Sequence, residues 1–493
     1  MNIYSWVDRN AREKPKKTCI LYKDQNITFY ELDKMASAFA TALRGRGIKK
    51  GDRIVLMLPN MPEFIISYMA IIEMGGVVIP VNPSYTSREL QHILKDSTAK
   101  GIILEDSRVE RYSKIKDICP LDIVITTGEG GNFNSWITGP CHKTIEDMDP
   151  DDVAVMVYSS GLIGVPMGAM LTHGNLDHNS DLLRTCAGAD ETDTTLTLIP
   201  CFHTFSVSAN MLPMLRLGGT IYLMKKIDFK ELYHALTDGG VNIINGVPTL
   251  FYALLNYPDL NGIDYSQMKA LIAGGSALSL EIYNEFKDKF HTDIRQGYGL
   301  TEATPVCTVN NIHIKIKPGS IGKTVPHVKA RVVDEKGNTL GHNQGGELIF
   351  KGPNIMKGYY KRPKETSNVI KNGWLYTGDL GYMDEDGYIY ITGYKKDMII
   401  TSGFNVYCKE VEAVLNSHPG VKDSAITGEP DLMRGAIIKA YVVKDAPMLT
   451  EKQLKSFART QLASYKAPRK IVFVERIPRD TNGKAILEDI ENL

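Results

Sequence analysis

The chain has 493 residues, about three domain-sized units on length alone. Apolar residues make up 43% and charged residues 23%, an ordinary globular composition with enough apolar side chains for a large core. Basic and acidic residues balance at 57 each, so no global field draws the chain to nucleic acid or an anionic membrane surface.

The start, MNIYSWVDRNAREKPKK, has no basic stretch leading into an apolar one, so no secretory signal is expected. Apolar spacing at Leu32, Met35, Phe39 and Leu43 predicts a helix over 31–46, with Gly47 as its stop. A strand is expected over 53–58. The longest apolar run, 64–81, is interrupted by Glu73 and broken by Gly75-Gly76. It reads as a buried helix over 63–74 and a buried strand over 77–81, not as a span of ~20 uncharged residues. A helix over 88–95 and a strand over 101–105 complete a βαβ alternation, which implies a parallel sheet. A second series runs from 152 to 298, with strands over 153–158, 195–199, 220–223, 243–245 and 270–273.

After residue 310 the texture changes. Short strands with glycine turns, over 329–333, 346–351 and 387–392, predict antiparallel sheet and a small β-barrel. Gly393-Tyr394-Lys395-Lys396-Asp397 then forms a charged joint. Beyond it, helices over 408–417 and 451–461 and strands over 436–443 and 470–473 make a compact α+β unit. The expected fold is α/β: an N-terminal domain over 1–395, with two βαβ-type sheets and the small barrel, and an α+β C-terminal domain over 396–493. Seven scattered cysteines without C-x-x-C spacing point away from a zinc ribbon or redox motif and toward the reduced thiols of a cytoplasmic protein.

The strand over 153–158 feeds Ser159-Ser160-Gly161-Leu162-Ile163-Gly164-Val165-Pro166-Met167-Gly168. Glycines let backbone N–H groups converge on an anion and serine hydroxyls add donors, so the segment suits phosphate. It lacks the G-K-[ST] ending of a Walker A loop. Alone, it reads first as a tight Gly/Pro turn between strands.

It does not stand alone. Gln296-Gly297-Tyr298-Gly299-Leu300-Thr301-Glu302, Tyr376-Thr377-Gly378-Asp379 and Pro478-Arg479-Asp480-Thr481-Asn482-Gly483-Lys484 follow in order. Together these segments resemble the core motifs of the adenylate-forming superfamily: acyl-CoA synthetases, firefly-type luciferases and peptide-synthetase adenylation domains. The similarity runs from about Tyr30 to Ile486 and is nearest to AMP-forming fatty-acyl- or aryl-CoA ligases.

The resemblance implies ATP/AMP, Mg2+ and coenzyme A as cofactor and co-substrates, and a carboxylic acid as substrate. It places Tyr298 on adenine, Thr301 near the α-phosphate, Glu302 on the magnesium and Asp379 on the ribose. Gly274-Gly275-Ser276 lies beside the nucleotide with Gly299, and Ser159, Ser160, Gly161 and Gly164 lie at the phosphates. One carboxylate is adequate for a hard cation that keeps phosphate and water oxygens. Lys484 matches the catalytic lysine, a compact ammonium for charge developing on the α-phosphoryl group and the leaving pyrophosphate. Lys396 matches a hinge that makes the C-terminal domain mobile between an adenylating and a thioester-forming pose. After that rotation Gly403 borders the channel for the thiol.

Four positions depart from the pattern. Leu162 and Ile163 stand where Ser/Thr is usual, Met167 where Lys or Arg is usual, and Tyr394 where an arginine binds ribose and phosphate. Hydrogen bonds to charged groups are worth roughly 1.5–3 kcal/mol each, so handling of the β- and γ-phosphates is expected to weaken. Three readings stay open: a working ligase, a catalytically weakened adenylate-binding homologue, and a luciferase-like oxygenase.

The acyl pocket implied by position involves Pro200-Cys201-Phe202-His203, Asn245-Gly246-Val247-Pro248 and Ala273-Gly274-Gly275, with His203 as a gate or a packing residue. No Lys or Arg is placed for a second carboxylate. A medium- or long-chain fatty acid or an aryl acid fits, and free coenzyme A fits better than a carrier protein. Oligomeric state and peripheral membrane contact stay open.

Overall fold

The computed structural model describes residues 1–159, 166–260, 262–394, 398–431, 433–478 and 485. Helices begin where the sequence can cap them. Thr28 accepts from the Glu31 N–H while Glu31 reaches back to the Thr28 N–H, and Thr86 with Glu89 does the same. Thr172 with Asn175 and Thr450 with Gln453 repeat the device. Each box satisfies two N–H groups that the first turn leaves unpaired. Gly188, in the left-handed region at φ 68°, ends the helix His173–Ala187.

The first sheet has seven strands. Four parallel pairings join Arg53–Met57, Val77–Pro80, Gly101–Glu105, Ile123–Thr127 and Val153–Ser159, and Met167–Thr172 and Gly358–Tyr359 add antiparallel at one side. The second has nine strands. Its parallel centre includes Thr194–Thr197, Ile243–Gly246, Ala270–Ala273 and Arg295–Gly299.

The two alternating series do not map one to one onto these sheets. Val153–Ser159 opens the second series, yet it pairs with Val77–Pro80 in the first sheet, with Val155 opposite Val78. Conversely, Thr18–Tyr22 near the chain start joins the second sheet beside Thr220–Leu223. Strands buried on both faces carry similar Val/Ile-rich patterns, so their composition does not choose the partner.

The antiparallel unit expected after residue 310 is a five-stranded sheet of Lys329–Val333, Gly346–Lys351, Trp374–Met383, Ile370–Lys371 and Ile389–Tyr394. Its pairings among the described residues form an open path, not the closed ring of a barrel. The hairpin Met398–Thr401/Phe404–Tyr407 follows. A three-stranded sheet of Val421–Asp431, Gly435–Lys444 and Lys470–Phe473 then carries helices Cys408–Asn416 and Glu451–Gln461. That unit has its own apolar cluster, including Val411, Leu415, Ile438 and Leu454.

The long apolar run forms the helix Pro62–Glu73, in which only Glu63 escapes full burial. Its 12 residues span about 18 Å. Glu73 is tolerated there because Ser37 donates to it at 2.6 Å and Arg44 pairs with it at 3.4 Å. Among the described residues no helix is long and apolar enough to cross a membrane.

Candidate active site

A cavity of about 400 Å3 opens at the carboxyl ends of Ile243–Gly246, Ala270–Ala273 and Arg295–Gly299. Open α/β sheets bind ligands at this end, where strand termini and helix starts expose backbone donors. The five-stranded sheet supplies Thr377 and Asp379 to its wall, and the hairpin after residue 397 supplies Gly403, Asn405 and Tyr407.

Part of the lining is polar. Gly275 takes φ 80° in the turn after Ala270–Ala273, and a Cβ on Gly274 would lie 2.9 Å from the Phe205 ring. Gly299 is required by packing, since a Cβ there would fall 1.9 Å from the Pro305 carbonyl oxygen. Tyr298 donates its hydroxyl to Asp379 Oδ2 and tilts against Phe350 with centroids 5.9 Å apart. Burial and the neighbouring Asp379 charge push the Tyr298 phenol well up, so it stays a donor. Asp379 is held by its own turn: its N–H donates to Thr377 Oγ1 at 3.0 Å, and the Thr377 hydroxyl donates to the Leu348 carbonyl at 2.8 Å. Tyr394 sits opposite Asp379 in the strand register.

Thr301 and Glu302 share the short turn Thr301–Ala303 on the same wall. Ser159 Oγ donates to Glu302 Oε1 at 3.0 Å and Tyr359 Oη donates to the same oxygen at 2.7 Å. The first sheet thus delivers the end of its phosphate-loop strand to a carboxylate of the second. Among the described residues both bonds fall on Oε1, and the Oε2 lone pairs remain for a cation. Among the described residues no cluster of three His, Cys, Asp or Glu side chains could hold a metal. A single carboxylate, Glu302, fits Mg2+ carried on a nucleotide, with phosphate and water supplying most ligands.

The rest of the lining is largely apolar, including Leu182, Leu183, Ile272, Leu278, Val306 and Val309. His203 lies among them. Its Nδ1 accepts from the Phe205 N–H at 3.2 Å, so the proton sits on Nε2. Burial pushes its pKa down to about 4, which keeps the imidazole neutral. Phe404 of the hairpin meets His203 edge-on at 6.1 Å and stacks over Phe202 at 6.3 Å. Gly403 takes φ 81°, and a Cβ there would lie 2.8 Å from Val247 Cγ1.

The structure thus gathers Tyr298, Gly299, Thr301, Glu302, Asp379, Gly274, Gly275, Ser276, His203 and Gly403 around one cavity. Ser159 reaches it through Glu302. Val247 is not on the cavity wall; it packs under the Gly403 hairpin instead. Cys201 is likewise not on the wall but fully buried, its N–H bonded to Asn60 Oδ1 at 2.6 Å. Met167, expected at the phosphates, is a core residue, 2% exposed. Ser160, Gly161, Leu162, Ile163, Gly164, Lys396 and Lys484 lie outside the described residues. Sequence reasoning missed Tyr359, Tyr407 and Asn405. Tyr359 follows a glycine as many core tyrosines do, and nothing in its spacing announces Glu302, which lies 57 positions away.

A cavity at this sheet end, with a tyrosine–aspartate pair and a lone hydrogen-bonded glutamate, defines a nucleotide-using α/β enzyme with a second unit at its mouth. Residues 7–360 match the AMP-binding enzyme family and residues 410–484 match the AMP-binding enzyme C-terminal domain, and the chain belongs to that family. It is 34% identical over 519 residues to the long-chain-fatty-acid–CoA ligase of Bacillus subtilis, covering 97% of this chain and 92% of the relative. It is 33% identical over 490 residues to a feruloyl-CoA synthase of an Amycolatopsis species, covering 99% and 98%. Among solved structures, a double mutant of the o-succinylbenzoate CoA synthetase of Bacillus subtilis, bound with its product analogue, matches with a TM-score of 0.90. That match has 27% identity and covers 99% of this chain and 98% of the other.

Proposed function

We propose that the acid activated by this AMP-forming acyl-CoA ligase is uncharged beyond its one carboxylate, either a medium- or long-chain fatty acid or an aryl acid. The observation that carries this reading is the cavity wall: much of it is aliphatic, and its described lining contains no Lys or Arg. A second carboxylate would be desolvated there without a partner, which costs far more than apolar contacts return. The long-chain and feruloyl relatives support the same range.

In this reading Tyr298 would hold adenine, Asp379 the ribose and Thr301 the α-phosphate region, while Glu302 would hold a Mg2+ whose charge would offset that developing on the phosphates. The carboxylate attacks the α-phosphorus in line, its O–P bond forms, and the bond to pyrophosphate breaks. Lys484 stabilises that leaving group. The division at 395/396, with Lys396 as hinge, then lets the C-terminal unit exchange Lys484 for Gly403 at the cavity. The thiol sulfur of coenzyme A attacks the acyl carbonyl and AMP leaves. Seating of Gly403 against Val247, and the likeness to a product-analogue complex, support assigning the described arrangement to this second step. Much of the rate comes from positioning. Action in the cytoplasm belongs to the same proposal.

The test is pyrophosphate release with ATP, Mg2+ and a panel of fatty, aryl, dicarboxylic and amino acids, with and without coenzyme A. Release with fatty or aryl acids, with AMP and thioester formed together, is the expected result. A preference for dicarboxylic or amino acids would overturn it. The same assay on Lys484→Ala is expected to lose release.

A further inference from the structure

Lys466 is a lysine with 1% of its side chain exposed, and it sits at the seam between the two units. It follows the helix Glu451–Gln461. Its Nζ lies 2.7 Å from Glu410 Oε1 on the helix Cys408–Asn416, and 3.0 Å from Glu89 Oε1 on the helix Ser87–Ser97 of the large unit. Tyr85 of the large unit presents its ring 5.0 Å from the ammonium. Burying a charge this fully is tolerated only with partners on each side. One side here belongs to each unit.

The cluster is connected to the cavity. Tyr465, next to Lys466, stacks on Phe404 with centroids 4.6 Å apart. Phe404 is the hairpin residue that leans on Phe202 and His203, adjacent to Gly403. Pulling the hairpin out of the cavity as a body therefore requires Lys466 to leave Glu89. The opening leaves no stranded charge. Glu89 Oε2 still accepts from the Thr86 N–H at 2.9 Å and the Thr86 hydroxyl at 3.0 Å, and Lys466 keeps Glu410. A contact whose halves are each satisfied when parted is suited to repeated making and breaking.

We propose that Lys466 and Glu89 are positioning residues for the thioester-forming step, an ionic clasp that seats the Gly403 hairpin in the cavity. The proposal rests on the two-step reading above. It predicts a split between half-reactions that a merely structural lysine would not produce.

The variants are Glu89→Gln, Lys466→Gln and their double. Glutamine also serves a capping box, so Glu89→Gln keeps its helix start. Each single variant is expected to slow conversion of preformed acyl-adenylate and coenzyme A to thioester about tenfold, with acid-dependent pyrophosphate release changed less than about twofold. The double is expected to be no slower than Lys466→Gln. Independently of activity, nitroxide labels on exposed Cys141 and on Lys452→Cys report the distance between the units. Glu89→Gln should shift weight away from the distance of the unsubstituted chain. Equal loss in both half-reactions with unchanged label distances would overturn the clasp, as would unchanged thioester formation. Failure of the unsubstituted chain to release pyrophosphate with any acid would count against the ligase reading alone, and the label distances then decide the clasp.

Discussion

Gly403→Ala isolates the seating of the hairpin. At φ 81° an alanine costs about 1–2 kcal/mol. Its Cβ would also stand 2.8 Å from Val247 Cγ1, where carbon atoms prefer roughly 3.5–4.0 Å. Relieving such an overlap costs about 1–3 kcal/mol. Because the hairpin moves as a body, the torsional cost is carried in either pose, and the overlap alone lowers occupancy of the seated arrangement by about 5- to 150-fold. Thioester formation from preformed acyl-adenylate should fall by that factor, while acid-dependent pyrophosphate release is little affected. Adding Val247→Ala removes the overlap, so thioester formation should return to within about twofold of the unsubstituted rate. Rapid-quench measurement of each half-reaction gives both numbers. No recovery in the double variant, or equal losses in the two half-reactions, would refute the contact as the cause.

Asp379→Asn is expected to weaken AMP binding by about 10- to 100-fold, because a charged acceptor is lost. Tyr298→Phe keeps the ring and should cost less than about tenfold; calorimetric titration with AMP compares the two. Glu302→Gln should raise the Mg2+ concentration needed for half-maximal pyrophosphate release by about tenfold, and an unchanged requirement would remove Glu302 from the metal. His173 and His203 are both pushed by burial from 6.5 to about 4. The unfolded chain takes up those protons first, so stability should fall as pH drops from 6.5 to 4 and stay flat above. The fall is at most ~3 kcal/mol per histidine, and His203→Gln should reduce it in denaturant titrations. Cys141 is the exposed thiol among seven free cysteines, so the folded protein should titrate one fast thiol and the unfolded chain seven.

Local chemistry made much of this protein legible before its fold was known. Apolar spacing and the stop at Gly47 set the helix Phe29–Gly45 to within a few residues, because these interactions close within one turn of chain. Motif order singled out Tyr298, Glu302 and Asp379, and the structure brings all three to one cavity. Tertiary structure alone decided what lies between distant segments. It put the strand ending at Ser159 into the first sheet, joined Tyr359 to Glu302, moved Met167 and Cys201 into the core, and set Lys466 between Glu89 and Glu410. Strands buried on both faces share one composition, and a lysine destined for burial looks like any solvated lysine. Such choices are made by packing and desolvation, which act between segments hundreds of residues apart and leave no mark on spacing.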